Sequence, residues 1–139
     1  MRVTRFGRSV VLVLGFALAV GLEPAIGQAP PTENKGVTIG APTAIDLASQ
    51  IDSVQGRQLR VRVITVEPGG ILGLHSHKDR PAVAYVIRGT LTEHREGGAI
   101  VEHHAGESWS VATSMTHWEE NRGVEPLVII AADIFKPSM

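Results

Sequence analysis

Cysteine is absent from all 139 residues. Neither a disulfide nor a thiolate metal ligand nor a lipidated cysteine is therefore available, and stability has to come from packing. Aromatic residues are also scarce, with two Trp, one Tyr and three Phe, of which Phe6 lies near the N-terminus. The core must be filled by Val, Ile, Leu and Ala, which suits a barrel whose interior is partly given over to a cavity. Charge of one sign is missing too. With 13 basic and 14 acidic residues there is no basic patch to hold a nucleic acid.

A membrane-spanning run is lacking, although the N-terminus comes close. Arg2, Arg5 and Arg8 precede the apolar run Val10 to Val20, which is shorter than the ~20 residues a span needs. Ala25-Ile26-Gly27 then offers the small residues a signal peptidase reads. Residues 1–27 are expected to be a secretory signal removed after Gly27, with an uncleaved anchor as the alternative. The arginines are never adjacent, so twin-arginine export is not matched and general secretion is expected. The mature protein would be periplasmic or extracellular and free of the membrane. Residues 28–40, "QAPPTENKGVTIG", lack an apolar period and are expected to form a flexible leader. The folded domain would then occupy residues 41–137.

Helical periodicity is the last absence, and short β signals take its place. "RQLRVRVITVEPGG" alternates, with Leu59, Val61 and Val63 facing one way and Arg60 and Arg62 the other, before ending at the turn cluster Glu67-Pro68-Gly69-Gly70. "PAVAYVIRG" is a β-branched strand that stops at Gly89. "TLTEHREGGAIVEHHAG" reads as a hairpin turning at Glu96-Gly97-Gly98, and three more strands follow. "TAIDLASQID" fits either a helix with a capping box at Thr43 and Asp46 or an edge strand. Many short strands at even spacing predict an all-β sandwich or barrel.

Two histidine blocks carry the chemistry. His75 and His77 stand at i and i+2, so on a strand they project to one side and both reach the same ion. His117 shares a strand face with Glu119 and Asn121. Gly69, five residues, His75-x-His77 and the closing Gly89 match the first cupin motif. Gly106, His117 eleven positions on, and Asn121 four beyond match the second. The chain thus resembles the small single-domain cupins over roughly Gln58 to Lys136.

The resemblance implies a single jelly-roll-like β-barrel with His75, His77 and His117 as metal ligands. It also implies a departure. The family's first-motif glutamate, seven residues before the closing glycine, is here Ala82, and Glu93, Glu119 and Glu120 do not align with it. Ala112-Thr113-Ser114 replaces the usual Pro-x-Gly. Three neutral imidazoles would leave open positions on one divalent transition-metal ion, whether Fe, Cu, Ni, Zn or Mn, and open positions mark a catalytic site.

The ligand set is similar to that of cupin dioxygenases acting on thiols or β-diketones, which implies an oxygenase taking a small chelating substrate. Metal or ligand binding without turnover is the competing expectation. Asn121, Arg80 and Glu119 are the further candidates, Asn121 to orient a ligand and Arg80 to hold an anion. His94, His103 and His104 are expected at solvated or edge positions, and Trp109 and Trp118 in packing. By resemblance, a homodimer would form through Thr43 to Leu47.

Overall fold

A computed structural model describes residues 29–137; the expected secretory signal lies outside them. The described residues form nine strands and no helix: β1 (Lys35–Ile39), β2 (Thr43–Asp46), β3 (Gln58–Ser76), β4 (Ala82–Arg88), β5 (Thr90–Arg95), β6 (Ile100–His104), β7 (Ser108–Val111), β8 (Thr116–Glu120) and β9 (Leu127–Phe135). They make one antiparallel sheet in the order β6-β5-β8-β3-β9-β4-β7, with β1 and β2 also paired to β3. The sheet curls into a nearly closed barrel, as the all-β reading requires.

Strand β3 organises the barrel because it belongs to both of its walls. Its first half, Gln58 to Val66, pairs with β9, and its second half, Ile71 to Ser76, pairs with β8. The expected turn at Glu67-Pro68-Gly69-Gly70 is instead a corner within one continuous strand. Gly69 sits at φ +69°, a region open to glycine. A side chain on Gly70 would strike Glu67 O at 2.7 Å and Val66 Cγ1 at 2.8 Å. The pair therefore bends the strand where two walls meet and does not reverse it.

Two further expectations change. Residues 28–40 are not wholly a flexible leader, because Lys35–Ile39 is β1, paired antiparallel to β3. Ahead of it, Leu74 N–H donates to Pro31 O (2.7 Å) and Gly73 N–H to Asn34 Oδ1 (2.9 Å), which straps residues 31–34 across β3. Gly73 is required there, since a Cβ would collide with the Thr32 carbonyl. The ambiguous stretch resolves in favour of the edge strand: Thr43–Asp46 pairs with Gln58 to Val61.

The closed end is packed by Ile64, Val66, Leu72, Val86, Leu91, Leu127 and Ile129. Burying each such side chain is worth ~1.5–3 kcal/mol. Above this core the pairing sets out the inner face in rows. Arg62, Ala131, Ala84 and Trp109 stand side by side across β3, β9, β4 and β7, and the next row outward is Arg60, Asp133, Ala82 and Val111. The alternation read along β3 is present, but the arginines are the inward set. Leu59, Val61 and Val63 are exposed on the outer face.

Candidate metal centre

Strands β3 and β8 bring the two histidine blocks together. His75 and His117 are direct cross-strand partners, and the irregularity between Leu72 and His75 sets the register. His77, one residue beyond β3, is fixed by its N–H donating to Met115 O at 2.8 Å. The ring centroids of His75, His77 and His117 lie 4.5–5.2 Å apart. Each ring offers a nitrogen within 4.8 Å of the others.

Hydrogen bonds fix which nitrogen each ring presents. His75 Nδ1 meets Gly73 O (2.9 Å), His77 Nδ1 meets Arg80 O (3.1 Å), and His117 Nδ1 meets Glu93 Oε1 (2.6 Å). Two of these partners are carbonyls and the third is an ionised carboxylate, so each accepts and none donates. Every Nδ1 must therefore carry a proton, which leaves Nε2 as the nitrogen each ring can offer to a metal. His117 Nε2 is buried with no hydrogen-bond partner. Burial holds His75 and His77 near pKa 4, opposed by their backbone hydrogen bonds and reinforced by nearby cations. Both rings are thus neutral donors at ordinary pH. The donor set fits one divalent transition metal, with carboxylate and carbonyl supports of the kind metal-bound histidines use.

Glu93, set aside in the sequence because it aligns with no motif position, is the main support. It is fully buried and accepts from His117 Nδ1, from Arg95 Nε (3.0 Å) and Nη2 (2.7 Å), and from His103 Nε2 (3.0 Å). Burial alone would raise its pKa, but these donors outweigh it and hold the carboxyl near 2. No local signal marks it, because its contact with His117 spans 24 residues of sequence. His103, expected at a solvated position, is buried between Glu93 and Trp109, on which it stacks at 4.0 Å. His94 stacks on Trp118 at 3.7 Å and meets Glu120 Oε1 at 2.7 Å, while His104 is exposed.

The other candidates divide. Glu119 faces the centre from β8, with a carboxyl oxygen 3.8 Å from His117 Nδ1. Burial pushes its pKa up to about 7, and the charge of Glu93 pushes the same way against the pull of His117. A carboxyl thus stands beside the histidines although Ala82 supplies none. Asn121, expected to orient a ligand, is a backbone brace: its Nδ2 donates to Val66 O (2.9 Å) and Glu125 O (2.8 Å), and its Oδ1 accepts from Gly123 N–H (2.9 Å). Arg80 does reach the cavity and belongs to a larger group of arginines.

That cavity holds about 620 Å³ and is lined by the three histidines, Glu119, Ala82, Ala84, Trp109 and the arginines 60, 62 and 80. Asp133 accepts from all three guanidinium groups: Arg60 Nε (2.9 Å) and Nη2 (2.7 Å), Arg62 Nη2 (3.1 Å), and Arg80 Nη1 (3.0 Å). Burial opposes ionisation of Asp133, but the arginine hydrogen bonds prevail and lower its pKa. Arg80 also donates Nη2 to Ser76 O (3.1 Å), so one residue supports His77 through its carbonyl and the cavity wall through its side chain.

The fold recurs in solved structures. A predicted oxalate decarboxylase from Thermotoga maritima matches with TM-score 0.50 at 20% identity, over 68% of this chain and 92% of that one. The Cupin_2 domain of an XRE-family transcriptional regulator from Enterobacter cloacae matches with TM-score 0.56 at 13% identity, over 75% and 100%. A deletion mutant of Bacillus subtilis oxalate decarboxylase matches with TM-score 0.55 at 27% identity, over 78% of this chain but only 28% of its own length. Another structure of that enzyme, described for its Mn(II) centres, matches equally well at 26% identity, over 80% and 28%. No curated protein matches the sequence. The Cupin_2 cupin-domain family matches residues 62–133, more than half of the chain and the segment that carries both histidine blocks. With the barrel and the converging histidines in place, that match makes the chain a member of the cupin family.

Proposed function

We propose that this cupin is exported and uses His75, His77 and His117 to hold one divalent transition-metal ion, at which a small chelating molecule is bound and turned over in oxygenase-type chemistry. The observation that carries the reading is the common orientation: all three Nδ1–H groups are spent on fixed acceptors and all three Nε2 atoms are left for one ion. A bound ion supplies Lewis acidity and sites for a chelating ligand and dioxygen. The chain's own residues hold the three imidazoles in place, keep those of His75 and His77 neutral, and set the Glu119 carboxyl beside His117, where a proton can be held. Likeness to oxalate decarboxylase with Mn(II) centres supports a metal and a small carboxylate-bearing ligand. The chain spans about a quarter of that enzyme, so its activity is not carried over. Binding without turnover is the second reading, favoured by Ala82 in place of a metal-binding glutamate.

Metal content of the full chain separates these readings from an incidental cluster. After loading and desalting, wild type should retain about one ion per chain and His75→Ala/His77→Ala close to none. Equal metal in both would end the metal-centre reading. Oxygen uptake by the Fe(II)-loaded protein with a panel of chelating acids and diketones then tests turnover. Bound metal without uptake on any of them leaves the binding role.

A further inference from the structure

The wall opposite the histidines holds more positive charge than it neutralises. Three guanidinium groups meet one carboxylate, and the side chains of Arg60 and Arg62 are only 14% and 18% exposed. The acids lining the cavity are Glu119, at the histidine end, and Glu33, which is exposed at the rim. Buried uncompensated cations are costly, and a protein retains them where something supplies the opposite charge.

The unpaired donors lie on the same wall. Among the described residues, three buried side-chain polar atoms lack a hydrogen-bond partner: Arg62 Nε, Trp109 Nε1 and His117 Nε2. All three belong to residues lining this one cavity. His117 Nε2 is accounted for by a metal. The other two are donors from the same cross-strand row, separated by Ala131 and Ala84, whose small side chains leave space between them. Burial and the neighbouring Arg60 lower the pKa of Arg62 despite the pull of Asp133, which agrees with a guanidinium short of negative charge. Arg60 is more fully committed, with two bonds to Asp133 and its guanidinium stacked 3.8 Å from the Phe135 ring centre.

We propose that Arg62 and Arg80, with Trp109, form an anion subsite, so that the ligand is a small organic acid with a chelating group at one end and a carboxylate at the other. This rests on the metal-centre reading for the chelating end only. The apolar side chains of Ile64, Leu72, Ala84 and Ile129 line the space between the ends. A cavity of about 620 Å³ is of the size that takes whole metabolites, and it far exceeds a two-carbon diacid. The space therefore admits a ligand longer than oxalate. Arginine suits this end because its planar fork grips a carboxylate at two points.

The test uses two matched probes and the Zn(II)-loaded full chain, since zinc does no redox chemistry. 2-Oxoglutarate and 2-oxovalerate share the same chelating group and chain length and differ in the distal carboxylate alone. Calorimetry should show 2-oxoglutarate binding about tenfold or more tighter, as a charge-assisted pair would give. Arg62→Gln should reduce that advantage to about twofold while zinc content stays unchanged. Should Arg62→Gln fail to fold, Arg62→Lys keeps the charge but removes Nε, and the advantage should fall at least threefold. Equal affinities in wild type, or an advantage that survives both variants and Arg80→Gln, would overturn the subsite. If the chain binds no zinc, the metal reading fails and the subsite is read on the metal-free chain with butyrate. There Arg62→Gln should weaken binding about tenfold, and an unchanged affinity rejects the proposal.

Discussion

The two walls of the cavity handle buried charge in opposite ways. On the histidine wall every support is satisfied: three Nδ1–H groups have acceptors, and Glu93 receives bonds from three residues. On the arginine wall three cations share Asp133, and Arg62 Nε and Trp109 Nε1 have no partner. A saturated wall fixes side chains before any ligand arrives, which metal ligation demands. An under-neutralised wall instead stores attraction for whatever enters. One barrel can hold both because β3 runs through the two walls and turns the corner at Gly69.

The sharpest way to break the contrast is Asp133→Asn. Asp133 is 1% exposed and is the one carboxylate to which all three guanidinium groups bond. Removing its charge should destabilise the barrel by roughly 3–5 kcal/mol in denaturant melts, since it strands buried cations. Adding Arg62→Gln should then recover part of that loss, because one stranded cation is gone. A double variant no more stable than Asp133→Asn alone would mean the cost is lost packing and not uncompensated charge.

The matching change on the other wall is Glu93→Gln. It preserves shape while taking the carboxylate from His117 Nδ1, Arg95 and His103. Metal affinity, measured by chelator competition, should fall about 10–100-fold, as loss of a supporting carboxylate does elsewhere. Affinity equal to wild type would show that backbone and packing alone orient His117. The same measurement on Asp133→Asn should show the smaller change, because Asp133 reaches the histidines only through Arg80, whose carbonyl meets His77 Nδ1.

How much of this was legible in the sequence follows from how local each signal is. His75 and His77 are two residues apart at the end of one strand, and His117 follows from the spacing of its own motif, so the candidate metal ligands could be named. Along β3 the alternation of Arg60 and Arg62 with Leu59, Val61 and Val63 was readable, but which set faces inward was not. Period-two patterning carries no sign, and here the charged set faces in. Asp133 lies 73 residues from Arg60, and Glu93 lies 24 from His117, so both contacts arise from strand pairing alone. Asn121 shows the converse error: it occupies the motif position but spends its amide on Val66 and Glu125. Residues 35–39 looked structureless because the strand they form takes its order from β3 rather than from an apolar period of its own.

The smallest expected effect concerns acid, and it separates groups within the histidine wall itself. In the metal-free protein His75 and His77 take up protons near pH 4 when folded and near 6.5 when unfolded. Between those values the unfolded chain binds more protons, so stability falls as pH is lowered from 6.5 towards 4. Glu119 acts the other way, because its pKa of about 7 when folded exceeds its ordinary 4.5. From pH 4.5 to 7 the folded chain holds the extra proton, which adds stability as pH falls and offsets part of the histidine loss. Glu119→Gln removes that offset. Its denaturant midpoint should therefore decline more steeply than wild type between pH 6.5 and 4.5, by at most ~1.4 kcal/mol per pH unit, the limit for one proton. Parallel slopes would mean that Glu119 is already ionised in the folded protein at these pH values. Its carboxylate would then stand beside the histidines as a charge and not as a proton store.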